Sequence, residues 1–168
     1  NHEGTKRGEE FVTRKITKGV ARIKKALDQG KTFDPIELGN INAKRDWSDS
    51  EDFVKGVWLM LAQDTPKDYL LASGETHTIK EFIDRAFVAA GIEGNWSEVK
   101  NKPLETKFHN NSDAGEILVK INPSFYRPNE VELLLGDPTE IKLELGWKQE
   151  VSFCDLVKKM VKHDLDEK

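Results

Sequence analysis

One apolar stripe constrains this chain from its start. Between Glu9 and about Gln29, the residues Phe11, Val12, Ile16, Val20, Ile23 and Leu27 recur mostly three or four positions apart. That spacing lines one face of an α-helix. The other face carries Arg14, Lys15, Lys18, Arg22, Lys24 and Lys25, the ordinary composition of a solvated surface. A stripe of this kind has to be covered, by a core from the rest of the chain or in part by a segment outside it. Gly30 is placed to end the helix. Ahead of it runs a polar, Gly-punctuated loop that opens without Met and reads as a segment from the middle of something longer.

Strand and helix signals alternate irregularly after that. Ile36 to Gly39 reads as a short strand, Asn40 to Ala43 as a turn, and Arg45-Asp46-Trp47 as a second extended piece. Ser50 is a candidate cap for a helix with Glu51 and Asp52 in its first turn and Phe53, Val54, Val57, Trp58 and Leu61 inside. Asp68 to Gly74 resembles a strand buried on both faces. Thr78 with Glu81 forms a capping box for a helix that Gly91 stops. Gly94 to Ser112 shows no clear period and reads as loops with one short strand near Trp96. Glu116 to Ile121 is a strand ended by Asn122-Pro123. Pro128 suits the first turn of a short helix. A further helix follows Gly136-Asp137-Pro138-Thr139 to about Leu145, and Ser152 opens the last one, with Phe153, Leu156, Val157, Met160 and Val161 inside. This is α/β without the regular alternation of a complete doubly wound sheet. It matches the last strands of such a sheet plus a small C-terminal lobe.

Composition narrows the function classes. The 168 residues are 37% hydrophobic and 33% charged, with a net charge of −4 and both signs interspersed. A basic nucleic-acid-binding face is not favoured. No apolar run approaches the ~20 residues of a membrane span. Cys154 has no second cysteine to pair with and reads as a helix-face residue in a reducing compartment. Trp47 and Trp58 read as core or interface aromatics, and Trp147 as an anchor beneath the last helix.

Several chemistries have no residues here. No Gly-x-Gly-x-x-Gly loop exists to cradle a dinucleotide. Neither tyrosine has a lysine four positions on: Ser73 follows Tyr69 and Glu130 follows Tyr126. No histidine–cysteine cluster has zinc-ligand spacing. What remains is a set of candidate anion contacts. Arg45 sits in a short extended segment, and Arg127 precedes Pro128, which favours an extended backbone at that position. A guanidinium fork suits phosphate oxygens because it donates two parallel hydrogen bonds. Its ordinary role is a surface ion pair with a carboxylate. Glu130 could accept from a sugar hydroxyl. His2 and Glu3, in a loop, would ordinarily be solvated.

Five blocks, in order, resemble the GDP-mannose 4,6-dehydratases. They are Asn1-His2-Glu3 with Arg7-Gly8-Glu9 and Phe11-Val12-Thr13-Arg14-Lys15-Ile16; Leu38-Gly39-Asn40 with Ala43-Lys44-Arg45-Asp46-Trp47; Ala72-Ser73-Gly74; Tyr126-Arg127-Pro128 with Glu130-Val131; and Gly136-Asp137-Pro138-Thr139 with Leu145-Gly146-Trp147. Blocks such as Leu-Gly-Trp are common to extended short-chain dehydrogenase/reductases, whereas Asn-His-Glu with Lys-Arg-Asp-Trp is more specific. The chain departs from the pattern at Gly4-Thr5-Lys6, where Ser-Pro-Arg is usual. It departs again from Ser48 to Phe53, where Gly-His-Ala-Lys-Asp-Tyr is common.

The resemblance implies that residues 1–168 are the C-terminal substrate-binding portion of such an enzyme. The expected fold is the end of a Rossmann-like sheet with a substrate-binding lobe, the N-terminal dinucleotide-binding portion and the catalytic residues lying elsewhere. His2 and Arg7 would lie near NADP, and Asn1 near the sugar. Val12, Lys15, Leu38, Gly39, Asn40 and Ala43 would form the guanosine pocket. Arg45 and Arg127 would clamp the diphosphate, and Glu130 would hold the ribose. The whole enzyme would convert GDP-mannose to GDP-4-dehydro-6-deoxy-mannose, on the route to GDP-fucose, in the cytoplasm, as a homo-oligomeric dimer or tetramer. This portion alone would be inactive. The alternatives are another extended short-chain sugar-nucleotide epimerase or reductase, and a non-catalytic GDP-sugar-binding module.

Overall fold

In the computed structural model, which describes residues 1–112, 114–127 and 131–167, the first apolar stripe forms helix α1 (Val12–Asp28). Ile16, Val20 and Ile23 on it are fully buried. Gly30 ends it as expected, at φ +62°. The Gly30 N–H donates to the Leu27 carbonyl (3.0 Å) and the Lys31 N–H to that of Ala26 (2.9 Å), which satisfies the last carbonyls of the helix.

The described strands are β1 (His2–Glu3), β2 (Ile36–Leu38), β3 (Lys44–Arg45), β4 (Ser48–Asp49), β5 (His77–Thr78), β6 (Gly94–Ser97), β7 (Lys107–Asn110), β8 (Ile117–Ile121) and β9 (Leu133–Leu134). The later helices are α2 (Ser50–Leu61), α3 (Ile79–Ala89), α4 (Thr139–Leu145) and α5 (Phe153–Asp166). Strands β2, β8, β7 and β6 form one sheet in that order. Its first pair is parallel, with Ile36 opposite Val119, and its other pairs are antiparallel. Helices α1, α3 and α5 pack on one another, and α1 also meets β2. Leu118 and Val119 from the sheet join Phe82, Phe87, Leu156 and Met160 from the helices in one buried cluster. This cluster is the core that the first stripe requires.

Two smaller sheets sit at the edge of this body. In one, β3 lies between β5, antiparallel, and β9, parallel. In the other, β1 pairs in parallel with β4, His2 opposite Ser48 and Glu3 opposite Asp49. The mixed α/β class agrees with the expectation from sequence.

Several local expectations need correction. Asp49, not Ser50, caps α2, its side chain accepting from the Glu51 N–H (2.8 Å). The apolar side of α2 is not inside: Val54, Trp58 and Leu61 are 69%, 74% and 79% exposed, and Val57 is exposed too. The buried side of α2 is Asp52 and Gly56. Trp147 packs there, its indole N–H donating to the Asp52 carbonyl (2.9 Å), rather than under the last helix. Asp68 to Gly74 is irregular, because no described strand pairs with it. Strand β7 was not foreseen. Cys154 is exposed rather than filling a packed face. The short helix expected at Pro128 falls outside the described residues.

Candidate functional site

Three remote segments, with Ile79 at the start of α3 beside them, line one cavity of about 800 Å³. The first runs from Asn1 to Lys15 and contributes Asn1, Glu3, Arg7, Val12 and Lys15. The second is the end of β2 with the turn and β3 that follow, contributing Leu38, Gly39, Asn40 and Arg45. The third is Ser124, Phe125 and Arg127 after β8. The volume suits a ligand of nucleotide size. Arg7, Lys15, Arg45 and Arg127 on its wall outnumber Glu3 and Glu10, so the cavity favours an anion.

Arg45 is set by the sheet it belongs to. Strand β3 is held on both edges, and the Arg45 Nη1 donates to the carbonyls of Lys44 (2.9 Å) and Val131 (2.7 Å). The next residue fixes the strand from beneath. Asp46, 4% exposed, accepts at Oδ1 from the Ser73 N–H (2.9 Å) and hydroxyl (2.6 Å). At Oδ2 it accepts from the N–H groups of Gly74 (3.0 Å) and Gly136 (3.2 Å). Four donors make burial of this charge tolerable. They tie the segment that carries Arg45 to two distant loops.

The turn after β2 forms an apolar end. Gly39 is required there: a Cβ would lie 2.2 Å from the Phe125 carbonyl oxygen. Asn40 accepts from the Asn42 N–H (3.0 Å) and closes the turn. The Lys15 ammonium sits 4.1 Å from the centre of the Phe125 ring, a cation–π contact. Burial pushes the Lys15 pKa down, and nearby Glu37 opposes this. Val12 and Leu38 complete an apolar wall with a basic tip.

The loop from β1 to α1 forms the polar end. The Arg7 guanidinium stacks 3.4 Å from the centre of the Phe11 ring, and its Nε lies 3.3 Å from Glu3 Oε2. The Thr13 hydroxyl donates to the same Glu3 oxygen (2.6 Å). Burial raises the Glu3 pKa, opposed by the Thr13 hydrogen bond and by Arg7. Arg14 reaches back to the Thr5 carbonyl and pairs with Asp164 (2.9 Å). The loop is therefore pinned from α1 at two places.

The residues expected to bind ligand separate into three groups. Asn1, Arg7, Val12, Lys15, Leu38, Gly39, Asn40, Arg45 and Arg127 meet at this cavity. His2 is exposed, its ring 5.5 Å from that of Phe53, and Ala43 is buried beneath the turn; neither lines the cavity. Glu130 lies outside the described residues. Sequence reasoning missed Glu3 and Phe125. Glu3 carries no signal in a single sequence, since a two-residue strand shows no alternation. Phe125 follows Pro123 in the short 3₁₀ turn and stood in a motif only through its neighbours.

Arg7 could meet an anionic cofactor from the cavity wall, but no described loop forms a dinucleotide cradle. At the end of α5, His163, Asp164 and Glu167 converge. Arg14, 2.9 Å from Asp164 and 3.3 Å from Glu167, and Lys18, 3.5 Å from Glu167, stand beside them, and ion pairs account for the cluster without a metal.

A family model described as GDP-mannose 4,6 dehydratase matches residues 1–160. The GDP-mannose 4,6 dehydratases of Drosophila melanogaster and Homo sapiens are each 42% identical over 166 residues, covering 99% of this chain and 40% and 42% of theirs. That of Vibrio cholerae is 40% identical over 176 residues, covering 99% of this chain and 45% of its own. The chain thus spans about two fifths of the length of these relatives. Among solved structures, RMD from Pseudomonas aeruginosa complexed with NADPH superposes with a TM-score of 0.73 at 20% identity, over 98% of this chain and 46% of that one. UDP-glucose 4-epimerase from Thermotoga maritima with UDP-glucose gives 0.68 at 18%, over 97% and 43%. At these identities the likeness is one of fold.

Proposed function

Because the chain belongs to the GDP-mannose 4,6-dehydratase family, we propose that it is the substrate-binding portion of such an enzyme. The observation that carries this reading is the opening of Arg45 and Arg127 into one cavity with an apolar end at Val12, Leu38 and Phe125. The two guanidinium groups balance the diphosphate charge. The guanine lies against the apolar wall, with Lys15 at its carbonyl, and the hexose lies toward Asn1. The complete protein converts GDP-mannose to GDP-4-dehydro-6-deoxy-mannose in the cytoplasm, as a homo-oligomer. NADP would supply the hydride acceptor and donor, and Arg7, with His2 nearby, would meet its anionic portion. The part played by residues 1–168 is to spend remote binding energy on holding the sugar in place for groups that other residues supply. They do not turn over substrate alone.

The test is calorimetric titration of the complete gene product with GDP-mannose, GDP and ADP, together with an assay for the 4-keto product. Saturable binding of both GDP ligands, weaker binding of ADP, and NADP-dependent turnover are expected. Binding of GDP-mannose without turnover would favour a non-catalytic module. A preference for a uridine or thymidine diphosphate sugar would move the chain to another extended reductase or epimerase.

A further inference from the structure

Glu3 has no role in the reading above, yet its side chain is the most constrained acidic group on the cavity wall. It is 4% exposed. Its backbone is fixed by pairing with Asp49 across the parallel β1–β4 ladder, and Thr13, in the first turn of α1, holds the carboxylate from the helix side. Both close contacts, Thr13 Oγ1 at 2.6 Å and Arg7 Nε at 3.3 Å, fall on Oε2. Oε1 has no hydrogen-bond partner among the described residues, although Glu3 lines the cavity. Oε1 is not among the fully buried polar atoms, so what little surface Glu3 keeps leaves this oxygen able to accept from a donor in the cavity.

The chemistry of the wall says which donor. A carboxylate repels a diphosphate, so Glu3 does not face the phosphates. Val12, Leu38 and Phe125 gather with Gly39 and Lys15, whereas the aromatic surface beside Glu3, Phe11, is covered by the Arg7 guanidinium. Glu3 instead joins Arg7 and Asn1 in the polar loop. A neutral polyol is the part of a nucleotide sugar that suits this place. We infer that Glu3 Oε1 accepts a hydrogen bond from a hexose hydroxyl of the bound nucleotide sugar. Glu3 is then a substrate-binding residue that orients the sugar, and Thr13 is the residue that positions it. This rests on the proposed function and adds a contact within that site.

The experiment compares the wild-type complete gene product with Glu3→Gln and Thr13→Val by titration with GDP-mannose, GDP and NADP. Glu3→Gln is near-isosteric but puts an amide N–H₂ where Oε1 stood. It should weaken GDP-mannose about tenfold, the size of a lost hydrogen bond to a charged group. GDP and NADP should stay within about twofold. Thr13→Val should show a smaller loss with the same selectivity, which keeps the test alive if the first variant does not fold. Equal weakening of GDP and GDP-mannose would overturn the inference, since GDP has no hexose. A loss confined to NADP would overturn it in favour of a role exerted through Arg7. Failure of the wild type itself to bind either GDP ligand would sink the proposed function, and this contact with it.

Discussion

Arg45 and Arg127 stand 82 positions apart in the chain (127 minus 45) and open into one cavity. Arg45→Ala or Arg127→Ala, in the complete protein, is expected to weaken GDP-mannose binding about tenfold or more, since each charge-assisted contact contributes roughly 1.5–3 kcal/mol. Unchanged affinity in both variants would remove the clamp. Glu3 gives a second residue-level expectation. Burial raises its pKa above the ordinary 4.5, so the folded state holds this proton more tightly than the unfolded chain does. The stability tied to that proton is full below 4.5 and is lost as pH rises through the folded-state value. Wild type should therefore lose stability relative to Glu3→Gln as pH rises above 4.5. Denaturant midpoints that stay a constant distance apart over that range would contradict it. Most wall residues were legible because they stand in recognisable blocks. Glu3 was not, because its burial comes from Thr13 and from a strand too short to show a pattern.

Among the elements, legibility followed how much each one carries of its own termination signals. Helix α3 has a complete capping box, the Thr78 hydroxyl accepting from the Glu81 N–H (3.0 Å) and the Glu81 carboxylate accepting from the Thr78 N–H (2.7 Å). It begins where the sequence says it should. Thr78→Ala is expected to cost about 1 kcal/mol of stability, read as a lower urea midpoint at unchanged slope, while an unmoved midpoint would mean that packing alone sets this helix start. Elements that depend on partners were harder. The stripe on α2 was read correctly as apolar and wrongly as inside, since periodicity says which face is apolar and nothing about what covers it. The run from Asp68 to Gly74 had a strand's composition but pairs with no described strand. Strand β7 was hidden in a polar stretch because only Phe108 is buried in it, and its existence depends on pairing with β6 and β8.

At the scale of the molecule, the first and last helices are packed together, with Arg14 and Asp164 paired across them at 2.9 Å. Strand β2 completes its sheet only against β8, on the far side of all the intervening elements. The cavity inherits this order of assembly, because its wall is shared by the start of the chain, the segment after β2 and the segment after β8. No single stretch of the polypeptide holds even half a binding site in its own local structure. Occupancy is therefore thermodynamically linked to completed folding. A ligand at a hundred times its Kd would add about 2.7 kcal/mol to the native state, and a shift in melting temperature would serve as a binding assay without any turnover. A nick in the loop between β6 and β7 would reach the cavity through Gly39 and Asn40, which that loop meets in a neighbouring hollow.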